Sequence, residues 1–283
     1  MPDLRKPLTA GIALALAMTT AVPALAQSSP IPWLAESGNA NGEQPENGSD
    51  THQGGSVDDV RFERDNIHPE LMAFYEMGPF MLGPDFDTGV NPPPANSSIT
   101  TRRELENLHE MTQYQQDVQM REAIVYEDGI DLVEVFRSYG LIPSRSAAPV
   151  LWNLLDDLNV ETTWLVMRDK IEYMRPRPSQ IDPDLRLVVE QPEHPAYPSG
   201  HAAQTHAVAM VLASLDPERA DEFMSLAEEI SVRREIAAVH YPSDTRAGRI
   251  LASRVAPAFL EIDDVNEVLG QARDELRSFA RAR

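Results

Sequence analysis

The 283-residue chain contains no cysteine. Thiol nucleophiles, zinc-thiolate centres and a lipid-modified N-terminal cysteine are therefore excluded, and any fold it adopts does without disulfides. Basic residues are scarce as well: 24 Lys and Arg against 45 Asp and Glu leave a formal net charge of −21. Such a surface repels nucleic acid and anionic membranes. If the ligand is an anion, the few cations must be gathered in one pocket. After the first residues no hydrophobic run reaches the length needed to span a bilayer. Alternating strand-like patterning is also scarce and no internal repeat occurs, which predicts an all-α class.

What is present divides into three stretches. Arg5 and Lys6 precede an apolar run from Leu8 to Met18, followed by Ala24-Leu25-Ala26, so residues 1–26 read as a signal peptide and the destination as the periplasm. Its removal would leave a charge of −22. Residues 27–60, rich in Ser, Asn, Gly, Gln and Glu, read as a disordered leader. Residues 61–283 form the remaining domain, with 42% hydrophobic residues in the whole chain to supply a core. An extended arm over Met77 to Ser98 ends in GVNPPPANSS, and helical patterning follows it. Leu151, Leu154, Leu155 and Leu158 fall at i, i+3, i+4 and i+7, and Trp164, Met167, Ile171 and Met174 continue a second stripe toward Pro176. Ser199 is placed to cap a helix from about His201 to Leu215. Pro242 is expected to interrupt helical structure before a segment from Thr245 to Leu260.

Three clusters carry chemistry. In KIEYMRPRP, Lys170 lies on the last turn of a helix ended by Pro176 and Pro178, Arg177 projects from the rigid segment beyond, and Arg175 stands between. Basic residues at a helix C-terminus also complement its dipole, which is the plain alternative. In HPAYPSGHAAQTH, Ser199 and Gly200 leave the first N–H groups of the next helix pointing outward as an anion site, with His201 beside them. An ordinary cap followed by a surface histidine is the alternative there. In RREIAAVHYPSD, Arg234 offers a planar fork for two oxygens of a tetrahedral anion. Asp244 could fix the tautomer of His240 across a turn and leave the other ring nitrogen free to attack. A partly buried histidine near a capping aspartate would look the same.

Taken together, Lys170 with Arg177-Pro178, Pro198-Ser199-Gly200-His201, and Arg234 with His240 and Asp244 resemble a three-part motif, K-x6-R-P, P-S-G-H and S-R-x5-H-x3-D. It belongs to the type 2 phosphatidic acid phosphatase and vanadium haloperoxidase superfamily. Within that superfamily the chain looks most like the bacterial class A non-specific acid phosphatases, over roughly residues 80 to 280. The resemblance implies a single helical-bundle domain and a metal-independent phosphomonoesterase working through a phosphohistidine. Lys170, Arg177, Ser199, Gly200 and Arg234 would bind phosphate oxygens. His240 would be the nucleophile, Asp244 its partner and His201 the general acid, with an optimum at mildly acidic pH. Arg175 would stand behind the pocket or at its rim; His194 and His206 are left as structural.

No cofactor is implied, vanadate being expected as an inhibitor. The alternative is a vanadium-dependent haloperoxidase using the same pocket with vanadate as prosthetic group. A membrane-spanning lipid phosphate phosphatase and a non-catalytic phosphate-binding protein are weaker rivals. Small phosphomonoesters are the expected partners, without nucleic acid or membrane, and class A relatives suggest a homo-oligomer. Three departures bear on substrate preference: Arg233 stands where the motif has Ser, Ala202 where Thr is usual, and Pro242 is not the expected residue.

Overall fold

Capping residues set most element boundaries in the computed structural model, which describes residues 56–282. The expected signal peptide and most of the expected leader lie outside the described residues. The helices are α1 (Pro69–Met77), α2 (Ile99–Met111), α3 (Val118–Asp128), α4 (Leu132–Ser138), α5 (Pro149–Tyr173), α6 (Pro178–Ile181), α7 (Gly200–Leu215), α8 (Ala220–Ile236), α9 (Pro242–Leu260) and α10 (Asp263–Ala282). No strand occurs among the described residues, in keeping with the all-α patterning. None of the described helices is long and apolar enough to cross a membrane.

The leucine stripe of α5 becomes core. Leu151, Leu154, Leu155 and Leu158 are all buried, against α7 and α10. Helix α7 is apolar on nearly every side, with Ala202, Ala203, Ala207, Val208, Ala209 and Val211 all fully buried, because α5, α8 and α9 surround it. Small side chains let α9 come very close. A Cβ added at Gly248 would stand 2.6 Å from the Ser199 carbonyl oxygen and 2.9 Å from the Ala203 nitrogen, so only hydrogen fits there. Helix α10 buries Val265, Ala272 and Leu276, and its Glu275 accepts the Leu151 N–H at 2.9 Å, capping the start of α5.

The expected extended arm is strapped along α5 by hydrogen bonds. Glu161 accepts the Met81 and Leu82 N–H groups at 2.7 and 3.1 Å, Thr88 donates to Asp169 at 2.8 Å, and Arg168 donates to the Pro84 and Phe86 carbonyls. Its end also fixes the last residues of the expected leader: Asn96 donates to the Val57 and Val60 carbonyls, and Asp58 accepts from Ser97. Val57, Asp58 and Val60 of the expected leader are thus hydrogen-bonded to the end of the arm.

Two boundaries differ from expectation. Helix α9 begins at Pro242 rather than Thr245, because a proline at the first helical position has its φ already set and lacks only an N–H that would be unpaired anyway. Helix α7 begins at Gly200, with Ser199 as its cap, one residue ahead of the expected start.

Candidate active site

Lys170 occupies the last turn of α5, whose chain then reverses through Met174 in the left-handed region at φ 47°. That turn sends Arg175, Pro176 and Arg177 back across the molecule. Lys170 is 1% exposed and donates to the carbonyls of Pro195 and Ala196 at 2.6 and 3.2 Å. Arg177 is fully buried: Nε donates to the His194 carbonyl at 3.0 Å, Nη2 to His194 Nδ1 at 2.9 Å, and Nη1 to the Val239 carbonyl at 2.6 Å. Nη1 also lies 3.2 Å from His240 Nε2. Among the described residues no carboxylate reaches ion-pair distance of Lys170 or Arg177.

The turn before α7 delivers the second group. Ser199 is buried, and its Oγ accepts the Ala202 N–H at 3.4 Å while its own hydrogen stays free to donate. A Cβ at Gly200 would meet nothing nearer than Gln204 Oε1 at 3.4 Å, so packing against the protein does not account for that glycine. The Ser199 N–H donates to the Asp244 carbonyl at 3.0 Å, tying this turn to the start of α9. His201 lies in the first turn, half-buried, with Nε2 3.3 Å from the Glu127 carbonyl at the end of α3. It is not the surface residue of the plain alternative.

Arg234 sits in the last turn of α8, and the chain turns through Ala238 at φ 58° to present His240. The Asp244 carboxylate, fully buried, receives three groups. Oδ2 accepts from His240 Nδ1 at 3.2 Å and from the Tyr241 N–H at 2.9 Å, and Oδ1 accepts from Arg175 Nη1 at 2.5 Å. His240 Nδ1 therefore carries the hydrogen, and Nε2 keeps its lone pair on the side of Arg177. Arg234 Nη2 donates to Asp128 Oδ1 at 2.5 Å, while its Nε and Nη1, both buried, have no hydrogen-bond partner among the described residues.

Charge around these groups is strongly one-sided. Burial pushes His240 well below its usual value, and the charges of Arg177, Lys170, Arg234 and His201 push it further. His201 is lowered by burial first and by Arg234 next, and Lys170 by burial and Arg177. Arg177 is pushed down to about 9, chiefly by burial, and remains charged at neutral pH. One electrostatic neighbourhood thus contains both rings and all three cations, and its only close carboxylates among the described residues are Asp128 on Arg234 and Asp244 on the far side of His240. The downward shifts favour the neutral form of both rings, which suits a nucleophile but not an acid that is expected to start protonated. A cavity of about 430 Å³ lined by Phe62, His68, Gln180 and Glu193, among others, includes none of these site residues in its lining.

Several contributors escape sequence reasoning. Arg175 takes the first of its two expected places, behind the ring and not at the rim, but its partners are not foreseen by the sequence: it is 2% exposed, spans Asp244 and Ser243, and stands 3.9 Å over the Tyr241 ring. Glu104 of α2 accepts from the Ser243 N–H and hydroxyl at 2.8 and 2.9 Å and lies 3.4 Å from Arg175. Nothing local links positions 139 residues apart. His194, left as structural, touches Arg177. His206 stays structural, bonded to the Ala202 carbonyl and facing Glu228. Glu127 pairs with Arg233 at 2.8 Å, so the residue standing in place of the motif serine is absorbed by a buried ion pair. Glu127 and Asp128 had a readable signal: acidic residues closing a helix oppose its dipole and imply partners elsewhere.

Residues 159–266 match the model of the PAP2 superfamily. Curated relatives include a non-specific acid phosphatase of Providencia stuartii, 29% identical over 49% of this chain and 58% of its own length. A non-specific acid phosphatase of Salmonella typhi is 30% identical over 45% of this chain and 53% of its own. An acid phosphatase of Zymomonas mobilis is 26% identical over 65% and 73%. The chain thus spans little more than half the length of the first two. Among solved structures, a bacterial vanadium-dependent iodoperoxidase aligns with a TM-score of 0.47 and 17% identity, over 66% of this chain and 55% of that one.

Proposed function

We propose, from the PAP2 superfamily domain that residues 159–266 form, that this chain is a periplasmic acid phosphatase hydrolysing phosphate monoesters through a phosphohistidine. The observation that carries the reading is the set of buried cations, Lys170, Arg177 and Arg234, whose charges all act on His240, with Arg177 3.2 Å from its free nitrogen, in a chain of charge −21. Lys170 and Arg177 are buried with no paired carboxylate among the described residues, and Arg234 has one half-exposed partner, Asp128. Such under-compensated buried cations are costly, and a tetrahedral dianion would relieve all three together. Lys170, Arg177 and Arg234, with the Ser199 hydroxyl and the Gly200 N–H, hold the phosphoryl oxygens, and these contacts strengthen as charge spreads over them in the transition state.

His240 Nε2 attacks phosphorus in line with the leaving oxygen. A P–N bond forms as the P–O ester bond breaks, and Asp244 stabilises the imidazolium that results. His201 gives its proton to the departing alkoxide. In the second half, His201 takes a proton from water, the hydroxide attacks phosphorus, and the P–N bond breaks to return neutral His240 and orthophosphate. Since Nε2 of His201 faces the Glu127 carbonyl, Nδ1 is the nitrogen that exchanges the proton. The proton is taken up when the substrate dianion enters and offsets the surrounding positive charge. No step requires a metal ion.

Hydrolysis of an aryl phosphate between about pH 4 and 8, with chelator present, tests this reading. His240→Ala and His201→Ala are expected to lose activity by about 10³-fold or more while staying folded, and micromolar vanadate is expected to inhibit the wild type. Unchanged turnover in His240→Ala would sink the phosphohistidine. Bromination with vanadate and peroxide, in place of hydrolysis, would move the chain to the haloperoxidase alternative.

A further inference from the structure

We infer that Asp128 is a built-in competitor for the phosphate site, holding Arg234 in the empty enzyme and weakening anion binding until it is displaced. This rests on the reading of the cluster as an oxyanion site and adds how tightly that site is set to bind. Asp128 is the last residue of α3, beyond the matched domain, and reaches Arg234 from 106 positions away. Its carboxylate lies 2.5 Å from Nη2, and Arg234 offers buried Nε and Nη1 with no partner.

Nη2 is the guanidinium nitrogen common to both edges that can grip two oxygens at once. A carboxylate there takes one of those grips and repels an incoming anion from the other. The geometry differs from that of a scaffold pair. Arg233, the neighbouring residue, is held by Glu127, whose side chain is fully buried and approaches two of its nitrogens. Asp128 keeps 34% of its side chain exposed and binds through one oxygen, so water can receive it when it leaves. No other carboxylate in ion-pair distance reaches the three site cations among the described residues. A single negative charge thus stands in, incompletely, for the two that a phosphate dianion would bring.

A holder of Arg234 and a competitor for it give opposite signs on removal of the charge. Asp128→Asn keeps the shape and an acceptor oxygen toward Nη2. Binding of inorganic orthophosphate to the full chain, measured by calorimetry, is expected to tighten about tenfold in Asp128→Asn, with an equal fall in the constant for phosphate inhibition of aryl phosphate hydrolysis. Asp128→Ala should tighten it too, by less if Arg234 then wanders. Affinity that is unchanged or weaker in Asp128→Asn overturns the proposal and makes Asp128 a holder of Arg234. Failure of both wild type and Asp128→Asn to bind millimolar orthophosphate overturns the oxyanion reading itself, whereas binding by the variant alone supports the competitor in its strongest form.

Discussion

Two sides of His240 differ in their charge matching. On the side of Nδ1, one buried cation, Arg175, meets two buried carboxylates, Asp244 and Glu104, with the Ser243 hydroxyl between them. On the side of Nε2, three buried cations share one half-exposed carboxylate, Asp128. The first arrangement is complete without a ligand and positions the ring. The second, under the proposed function, is completed by the phosphoryl anion. A buried imbalance of this kind lowers stability, and under the proposed function it is where the anion binds.

The most forceful way to break the contrast is to neutralise one cation on each side. Arg175→Leu strands two buried carboxylates and is expected to cost about 3–5 kcal/mol, enough to threaten folding, as read by the urea midpoint. Lys170→Met, an apolar replacement of similar length, removes a buried charge that has no carboxylate. It is expected to leave stability unchanged or raise it by about 1 kcal/mol while abolishing orthophosphate binding. Equal destabilisation by the two would erase the distinction.

A second measurement sharpens it through pH. His240, His201 and His194 are held neutral in the empty fold, well below their usual value. The unfolded chain binds these protons below about pH 6.5 and the empty native state does not, so stability is lost as pH falls through that value. Sulfate, which itself does not titrate here, permits His201 to take up a proton on binding. Its affinity should therefore fall as pH rises, by up to about tenfold per unit, and the melting temperature should gain most from sulfate in acid. A sulfate effect that is flat between about pH 5 and 8 would uncouple the rings from the anion site.

The smallest effect lies outside both sides. Burial pushes Glu235 up to about 7, with Asp244 and Glu228 adding to it. Between its unfolded value of 4.5 and 7 the native state keeps a proton that the unfolded chain has lost, so stability declines over that window as pH rises. Glu235→Gln should be more stable than the wild type above pH 7, by about 1–2 kcal/mol, and level with it near pH 4, as followed by thermal melts.

Legibility in the sequence followed chain locality. The helix class, the buried stripe of α5 and the Ser199 cap were readable because each is written in neighbouring residues. So was the placing of Asp244 within reach of His240, four positions on. Glu104 on Ser243, Asp128 on Arg234 and the Glu127 carbonyl on His201 were not, since each joins helices far apart in the chain. Pro242 misled for a different reason: a proline that stops one helix is equally suited to start another, and here it does the second.

The hydrogen side chain of Gly248 determines how this pocket can change. With α9 seated on the Ser199 carbonyl at a separation that admits no methyl group, the turn before α7 and the start of α9 that carries Asp244 are held together as one block. Under the proposed function, variation in ligand preference is then left to the α3 tip at Glu127 and Asp128, which meets α7 through the Glu127 carbonyl and α8 through the two carboxylates. Engineering for new phosphoesters should begin at that tip and leave the α7–α9 seam untouched.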